Sequence, residues 1–555
     1  MRHLVFLFPA MLASLVTLVG CGDSGGGGGG GDGGYGNLGG FGATGGAAGQ
    51  AGAAGSGGLA GSGGLAGSGG LAGSGGLAGS GGLAGSGGQA GAGGSPPATI
   101  TPGAADRFLL KGVVLTPTGP ITGEVLVEGT DITCVAASCS SQSGATGATT
   151  IETNGVILPG LIDSHNHGLF NEFDEDDWNP GKLFSNHTQW NSTSEPRYGE
   201  VVDAKQYLES VSAGANVSCE MAKYAETKAI IAGTTSFLMA PGATERKCYA
   251  SVARTIDTGF NDLPDDKMRV SISIPASATA TSVCNDFTAG TTNRYVVHCG
   301  EGINESARKE FDNLTTVSGG CLAAPQTTVV HGTALGTPEF TIMAQNDMKL
   351  VWSPKSNVFL YGQTTDIPAA MAAGVKIIAL APDWALGGSV NMLDELRFAD
   401  SWDNQHFGDV LTPERLFHMV TSDAAIALGI DQYVGTLEVG KRADITIIGG
   451  TIADPYGALL AAKPQTVRLV MLDGRVLYGD KALEAAGPAT PGCEALDVCG
   501  VQKFLCIAEN DTADKLNQTF AEVKSVLETE LASYDTTVSP AGGPLSPIAP
   551  LTKCN

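Results

Sequence analysis

The chain has 555 residues, a formal net charge of −25 and a pI near 4.6. An acidic surface repels phosphate backbones, so the composition argues against a nucleic-acid partner. Charged residues make up 16% of the chain, which excludes a highly charged disordered protein and fits a globular body. Only the N-terminus has an apolar run long enough to enter a bilayer, so a multi-span membrane protein is excluded too.

The N-terminus has the pattern of a secretory signal. Met1-Arg2-His3 precedes an apolar run over residues 4–19, which predicts a signal peptide over residues 1–20. The sequence Leu18-Val19-Gly20-Cys21 resembles a bacterial lipobox, which implies lipidation at Cys21. An ordinary signal peptide with a chance cysteine is the alternative. We therefore predict an exported lipoprotein, with its body in the periplasm or at the cell surface. Gly22 after the cysteine favours the outer membrane.

Residues 21–99 are predicted to be a flexible tether. Residues 22–94 contain 39 glycines, and five Gly-Ser-Gly-Gly-Leu-Ala repeats run from Gly55 to Ala84. Such a segment has too few bulky apolar side chains to offset the entropy of ordering glycine. As a random coil of roughly 75 residues it would span about 45–50 Å, enough to hold a folded body away from a membrane.

The remaining chain predicts an α/β protein with two parts. Short β-type runs at residues 108–115, 123–128 and 131–135 have counterparts at 443–448, 467–472 and 475–478. Residues 100–155 and 431–485 are therefore assigned to a composite β-sandwich built from both ends. Residues 156–430 alternate strand-like and helical stretches, the pattern of a parallel (β/α)8 barrel of the TIM type.

Residues 486–555 are predicted to be a cysteine-containing helical extension. An amphipathic helix is expected over Ala513–Tyr534, and four cysteines there are expected to pin the tail. In an oxidising compartment most of the eleven cysteines after Cys21 should form disulfides. We expect a local Cys134–Cys139 loop and choose Cys299 as the unpaired cysteine. No Cys-x-x-Cys pair occurs, which argues against a zinc ribbon.

Four of the eight histidines lie at the ends of predicted strands, and this is the main functional signal. His165 and His167 follow an apolar run and are two residues apart, so both side chains point to one face and can share a metal ion. His298 and His331 end two further apolar runs, and Asp383 ends the last. The carboxyl ends of barrel strands form the active-site face. A metal centre is therefore predicted at that face.

This ordered set of residues resembles the metal-dependent amidohydrolases. The resemblance covers roughly residues 108–480 and is nearest to cytosine deaminase-, chlorohydrolase- and imidazolonepropionase-like members. It is carried by Pro159-Gly160-Leu161-Ile162-Asp163-Ser164-His165-Asn166-His167, His298-x-x-Glu301, His331-Gly332, Asp383, and supporting stretches that include Trp352-Ser353-Pro354-Lys355-Ser356-Asn357.

The resemblance implies a site and a reaction. The metal ligands would be His165, His167, His298 and Asp383, with one zinc ion per chain and Fe²⁺ or another divalent metal as the alternative. Glu301 would be the proton shuttle, and His331 would hold the substrate or the attacking water. The implied activity is hydrolysis of a non-peptide carbon–nitrogen bond by a zinc-activated water. Its small-molecule substrate would be a cyclic amide, an amidine or an aminated heterocycle.

Several alternatives stay open. Some family members hold two metals bridged by a lysine on the fourth strand and act as cyclic imidases or peptidases. We find no lysine at that strand end, since Lys247 lies in a charged run and Lys267 precedes its strand. A non-catalytic binding lipoprotein and a structural envelope protein are the non-enzymatic alternatives, and the presence of Glu301 argues against the first. The sequence indicates no oligomeric state.

Three further features could shape the site. The family usually has Gly-Ser or Gly-Thr directly before the last ligand, whereas this chain has Ala381-Pro382. The backbone conformation at Asp383 is therefore expected to differ from that of other family members. The acidic segment after the first strand is either a lid or a solvated loop. Aromatic residues could line a pocket, and His187 could contact substrate. The candidates for the pocket are Trp190, Trp352, Tyr361 and Trp384.

Overall fold

The computed structural model describes residues 95–190, 193–211, 214–239, 246–257, 261, 263–264, 267–489, 492–508 and 516–554. The predicted signal peptide, Cys21 and nearly all of the predicted tether lie outside these residues. Within the described part of the chain, no helix combines the length and apolar character needed to cross a bilayer.

Ten strands form a sheet domain and eight form a barrel. The first sheet-domain strands are β1 Thr99–Thr101, β2 Ala104–Thr116, β3 Gly119–Glu128, β4 Asp131–Ala136 and β5 Ala148–Pro159. The barrel strands are β6 Leu161–Asp163, β7 Thr234–Phe237, β8 Arg254–Thr255, β9 Met268–Ser271, β10 Arg294–Cys299, β11 Thr327–His331, β12 Lys349–Trp352 and β13 Ile378–Leu380. The last sheet-domain strands are β14 Ile445–Ile448, β15 Val467–Leu472, β16 Arg475–Asp480, β17 Glu494–Val498 and β18 Val501–Leu505.

The helices lie mainly between and after the barrel strands. They are α1 Pro196–Glu209, α2 Ser218–Ile231, α3 Ser277–Ala289, α4 Glu305–Thr316, α5 Thr337–Gln345, α6 Pro354–Tyr361, α7 Ile367–Ala373, α8 Met392–Trp402, α9 Pro413–Met419, α10 Ser422–Leu428, α11 Pro455–Leu460 and α12 Phe520–Val538.

The sheet domain joins the two ends of the chain, as the sequence predicts. Its strand order is β17-β18-β16-β15-β14-β5-β2-β3-β4, and β1 pairs with β5. The predicted sandwich is one hydrogen-bonded sheet, because β5 pairs with β2 on one side and β14 on the other. Strand β5 also runs across residues 155 and 156, where the sequence placed the barrel boundary. One buried cluster contains residues from both halves, including Phe108, Val125, Ile445 and Leu469.

The barrel strands are parallel and follow chain order. Strands β6-β7-β8 and β9-β10-β11-β12-β13 form two hydrogen-bonded groups. A parallel bridge between Asn166 and Asp383 joins the ends of β6 and β13. Val296 packs in a buried cluster with Val330 and Val351 from the neighbouring strands. Because alternate side chains of a strand share a face, His298 lies on the same face of β10 as Val296.

The C-terminal extension differs from its prediction in two ways. It adds β17 and β18 to the sheet, which the sequence analysis missed. Its helix begins at Phe520, after the described residues 516–519, because Thr519 and Glu522 form a capping box that fixes the start there. Residues 513–515 of the predicted helix lie outside the described residues. The buried stripe of the helix includes Val523, Leu527 and Leu531, as expected for an amphipathic helix.

Five disulfides occur among the described residues: Cys134–Cys139, Cys219–Cys248, Cys284–Cys321, Cys493–Cys506 and Cys499–Cys554. The expected local loop is thus present, and the four C-terminal cysteines do pin the tail. Among the described cysteines, Cys299 is free and is buried on β10, in agreement with the sequence-based choice.

A buried ion pair connects the barrel to the sheet domain. Arg254 on β8 places Nη2 3.1 Å from Oδ1 of Asp444 and 2.9 Å from Oδ1 of Asp473. The Arg254 and Asp444 side chains are only 1% and 2% exposed. Asp444 directly precedes β14, and Asp473 lies in the turn between β15 and β16. The guanidinium of the barrel therefore compensates the charge of two carboxylates of the sheet domain.

Arg254→Leu should lower the free energy of unfolding by about 3–5 kcal/mol, because it leaves Asp444 buried without its partner. The double variant Arg254→Leu, Asp444→Leu should recover much of this loss. Urea unfolding monitored by circular dichroism, with disulfides intact, measures both values. A loss below about 1 kcal/mol in the single variant would contradict a stabilising role for the ion pair.

The acidic segment after β6, which contains Glu172 and Asp174, is partly buried and contacts the rest of the protein. Glu172 is 0% exposed, and neither of its carboxylate oxygens has a hydrogen-bond partner within the described residues. Burial raises the pKa of Glu172 to about 8 and lowers the pKa of the nearby Lys228 to about 8. Asp174 is also buried, and its Oδ2 lies 3.1 Å from Nζ of Lys553 in the C-terminal tail.

The raised pKa of Glu172 predicts a pH-dependent stability. Between pH 4.5 and about 8 the folded state retains a proton on Glu172 that the unfolded state releases, so stability falls as pH rises. Glu172→Gln should remove this dependence. Its stability relative to wild type should rise by more than about 1.4 kcal/mol from pH 5 to pH 8. Urea titrations at both pH values test this, with Asp176→Asn, at an 87% exposed side chain, as the control.

Candidate metal centre and active site

The carboxyl ends of four barrel strands bring the predicted site residues together. His165 and His167 follow β6, His298 lies near the end of β10, His331 ends β11, and Asp383 lies three residues after β13. Four of these side chains are buried, and that of His167 is 20% exposed. Parallel strands end at the same rim of a barrel, which is why residues far apart in the chain meet here.

The atoms that could bind a metal are closely spaced. His165 Nε2 lies 3.0 Å from Asp383 Oδ1, and His167 Nε2 lies 3.5 Å from the same oxygen. Nε2 of His298 is 3.3 Å from Nε2 of His167. Ligand atoms around a tetrahedral zinc ion with bonds of about 2.0–2.1 Å are separated by about 3.3 Å. Each of these three separations therefore fits two neighbouring ligands of a small tetrahedral ion.

The protonation of the histidines is also suitable for metal binding. Burial lowers the pKa of His165, His167 and His298, so the rings are neutral near pH 7 and have a free lone pair. His298 Nδ1 lies 3.3 Å from the carbonyl oxygen of Ser271 on β9, which favours a proton on Nδ1 and a lone pair on Nε2. Nδ1 of the fully buried His165 has no hydrogen-bond partner among the described residues, so protein groups alone do not satisfy this ring.

Asp383 is held by its backbone and by a serine. Its φ is 73°, a left-handed conformation that is costly for a residue with a side chain. Its N–H donates to the carbonyl of His165 at 3.1 Å, and its carbonyl accepts from the His167 N–H at 2.6 Å. The Oγ of Ser356 donates to Oδ2 at 2.5 Å, leaving Oδ1 toward the histidines. Ser356 lies in α6, and the sequence analysis named it only as part of a stretch that supports the family resemblance.

Glu301 is buried beside the cluster and has an altered pKa. Burial raises its pKa to about 7, so it can hold a proton and release it near neutral pH. Tyr361 donates a hydrogen bond to Oε1 at 2.7 Å and in turn accepts one from Trp190 Nε1 at 2.9 Å. The second oxygen, Oε2, lies 3.8 Å from Nε2 of His331.

A chain of buried hydrogen bonds fixes the tautomer of His331. Trp352 Nε1 donates to Thr364, and Thr364 donates to the amide oxygen of Asn357. The Asn357 amide nitrogen then faces His331 Nδ1 at 3.2 Å, so Nδ1 accepts and Nε2 carries the hydrogen. His331, with a φ of 68°, therefore presents an N–H toward Glu301. Sequence reasoning missed this role of Asn357, because the motif gives no sign of which side chain it contacts.

Two overlapping sets of residues could hold a metal. One contains His165, His167 and Asp383, and the other contains His165, His298 and His331. The hydrogen on Nε2 of His331 disfavours that ring as a ligand in the present arrangement. Neither set includes a lysine, and β9 ends at Ser271. The one-metal assignment and the separate role of His331 stay predictions.

The aromatic residues form a cluster next to the metal ligands. The rings of Trp190 and Trp384 are 5.3 Å apart, and Trp384 lies 6.4 Å from the ring of His167. Trp178 and Tyr198, which the sequence analysis did not single out, extend this cluster. Trp352 is fully buried and supports the site only through the hydrogen-bond chain described above. The acidic segment contributes Trp178 to this wall, so it covers part of the site.

Two further histidines, His406 and His418, lie apart from the cluster. His406 is exposed and stacks on Trp402, and His418 contacts Ser422. Both therefore have packing or surface roles. His187 instead contacts Glu310 beside the site.

The chain is similar in sequence to a hydrolase and to a deaminase. The chain is 27% identical to an S-triazine hydrolase of Gordonia rubripertincta over 162 residues, which span 28% of this chain but only 34% of that protein. It is 23% identical to a 5-methylthioadenosine/S-adenosylhomocysteine deaminase of Syntrophobacter fumaroxidans over 422 residues, covering 68% of this chain and 94% of the deaminase.

The fold is also found in solved structures. A zinc complex of atrazine chlorohydrolase from Arthrobacter aurescens is 16% identical, with a TM-score of 0.53 over 69% of this chain and 96% of that one. This likeness confirms the predicted barrel with a sheet domain. The amidohydrolase family matches residues 156–477, which span β6 to β13 and the return to the sheet. The predicted enzyme class, a hydrolase of carbon–nitrogen bonds, agrees with this match. The chain therefore belongs to the amidohydrolase family.

Proposed function

We propose that this protein is a single-zinc hydrolase that cleaves a non-peptide carbon–nitrogen bond in a small cyclic amide, amidine or aminated heterocycle. The observation that carries the proposal is the meeting of three neutral histidines and Asp383 beside a carboxyl group, Glu301, whose pKa is about 7. The deaminase and triazine hydrolase names of the relatives are consistent with this bond type.

His165, His167, His298 and Asp383 would hold the metal. When bound there, zinc lowers the pKa of water to about 7 and polarises the attacked group. A set of three imidazoles and one carboxylate suits zinc better than calcium or magnesium, which prefer oxygen ligands. Ser356 and the carbonyl of Ser271 orient two of these ligands.

The remaining groups move protons and bind the substrate. The Asp383 carboxylate accepts a proton from the attacking water, and Glu301 donates one to the leaving nitrogen. His331 Nε2–H donates a hydrogen bond to the group that gains negative charge. Overall, the water oxygen bonds to carbon, the carbon–nitrogen bond breaks, and the water protons pass to oxygen or nitrogen of the products. The balance needs no oxidant and no second substrate besides water.

The proposal includes export and lipid anchoring. It is supported by the signal-like N-terminus, the lipobox-like sequence before Cys21 and the glycine-rich residues that follow. Five disulfides in the described body are consistent with an oxidising compartment. The barrel would then act on small molecules outside the cytoplasm, at a distance from the membrane set by the tether.

Zinc content tests the metal assignment. The purified protein should contain about one zinc per chain, and His165→Ala and His298→Ala should each reduce this well below one, because each variant removes one of the proposed ligands. His406→Ala, at an exposed histidine outside the site, is the control. Elemental analysis gives the ratio. About two metals per chain would support a bridged site instead, and no uptake of zinc would favour the non-catalytic binding protein.

Glu301→Gln tests the proton shuttle. The variant keeps the shape of the side chain but cannot exchange a proton, so kcat should fall about 10²- to 10⁴-fold while zinc content is unchanged. Glu305→Gln, at a 60% exposed side chain at the start of α4, is the matched control and should retain wild-type kcat. Hydrolysis is followed by release of ammonia or amine. Wild-type turnover in Glu301→Gln would show that another group transfers the proton.

A further inference from the structure

A small cavity opens directly beside the metal ligands. Its volume is about 200 Å³, and it is lined by His187, Ile272, Ile274, His298, Glu301 and Glu310, among others. His298 and Glu301 belong to the site described above, while His187 and Glu310 have no role in the reaction so far. One side of the cavity is therefore formed by the proposed reactive residues His298 and Glu301, and another side by the His187–Glu310 pair.

His187 is held in place by two elements. Its Nε2 lies 2.6 Å from Oε1 of Glu310 on α4, and Oε2 of Glu310 accepts the Gly300 N–H at 2.8 Å. The backbone N–H of His187 donates to the carbonyl of Glu301 at 3.2 Å. Glu310 is thus fixed between the histidine and the end of β10, which limits how far either can move.

The backbone around His187 is paired with the strand end that carries Glu301. An antiparallel bridge joins Asn186 to Gly302, and Ile303 N–H donates to the carbonyl of Ser185. Gly302 has a φ of 142°, and a Cβ there would lie 2.6 Å from Cα of Asn186, so only glycine permits this approach. The loop that carries His187 is therefore held against the active site.

The pairing leaves one ring nitrogen for a ligand. Nε2 of His187 faces Glu310, whereas Nδ1 makes no hydrogen bond to the described residues. Burial alone would lower the pKa of His187, but the hydrogen bond to Glu310 and the charges of Glu301 and Glu310 outweigh it and raise the pKa. The Glu310 carboxylate at 2.6 Å favours the protonated ring, and in that form Nδ1–H is a hydrogen-bond donor.

We propose that His187, oriented by Glu310, is a specificity-determining residue that donates a hydrogen bond to the ring carbonyl of a one- or two-ring oxo-heterocycle. The inference rests on the function proposed above and names the substrate class of that same site. The bond to be hydrolysed lies at the end near Glu301 and His298, and the carbonyl lies at the other edge of the ring. Ile272 and Ile274 contact the flat faces or edges of the ring.

The size of the cavity limits the substrate further. Pockets for drug-sized ligands usually have volumes of about 300–1,000 Å³, so about 200 Å³ suits a free heterocycle better than one that carries a sugar. The relative named as a nucleoside-type deaminase acts on a larger molecule, as its name states. This chain should therefore prefer the free base over the matching nucleoside.

The test compares matched compounds in the zinc-loaded full chain. The panel contains aminated one- and two-ring heterocycles with and without a ring carbonyl, and the nucleoside of each. His187→Asn should lower kcat/KM for carbonyl-bearing rings about 10- to 100-fold, mainly through KM, because the contact exists in both ground and transition states. Rings without the carbonyl should change less than about threefold.

Glu310→Gln tests the positioning role. It keeps a hydrogen-bonding side chain but removes the charge, so it should reduce the carbonyl preference partly, with zinc content unchanged. His406→Asn is the matched histidine control and should keep the wild-type preference. A structural defect would lower activity on all compounds alike, whereas loss of recognition changes the ratio between matched compounds.

The outcomes separate this inference from the proposed function. Turnover with an unchanged carbonyl preference in His187→Asn, or a wild-type preference for nucleosides, would overturn the inference and leave the hydrolase intact. For compounds that bind without turnover, calorimetric Kd values replace kcat/KM, so that the inference is tested even where hydrolysis fails. Neither binding nor hydrolysis of any panel compound by the wild type would overturn both.

Discussion

Closure of the barrel between its first and last strands is the constraint on which the site depends. Asp383 donates its N–H to the carbonyl of His165 and accepts the N–H of His167, so two backbone hydrogen bonds set the register at this seam. The same register places Asp383 Oδ1 within 3.5 Å of both imidazoles. Ligands more than 200 positions apart in the chain are thus aligned by backbone geometry. A shift of one residue at the seam would separate them.

Two residues at this rim have backbone conformations that cost energy. His331 and Asp383 have φ values of 68° and 73°, in the left-handed region that side chains disfavour. Surrounding contacts hold both, since Thr365 donates to the carbonyl of His331 at 2.6 Å and Ser356 donates to the Asp383 carboxylate. Such conformations persist where the rest of the fold enforces them, and here they direct both side chains toward one point. The site is therefore pre-formed in the fold.

Buried hydrogen-bond chains then decide which atoms carry protons. One chain ends at His331 through Asn357 and leaves an N–H toward the site, and a second ends at Glu301 through Tyr361. Burial adds to this by keeping the imidazoles neutral and by raising the pKa of Glu301 to about 7. The same low-dielectric surroundings thus favour metal binding by the rings and proton transfer by the carboxyl group. His187 differs, because Glu310 favours its protonated form.

The barrel, the sheet built from both chain ends, and the set of strand-end groups from His165 to Asp383 could be predicted from the amino-acid sequence. These follow from local patterns: apolar runs that end in polar residues, and short strands bounded by turns. The contacts between side chains that are distant in the chain are known only from the three-dimensional structure. Packing in space determines the contacts between Asn357 and His331 and between His187 and Glu310. It also adds β17 and β18 to the sheet and extends β5 past the predicted domain boundary between residues 155 and 156. Periodicity along the chain carries no information about such distances, because they are fixed by how separate elements fold against one another.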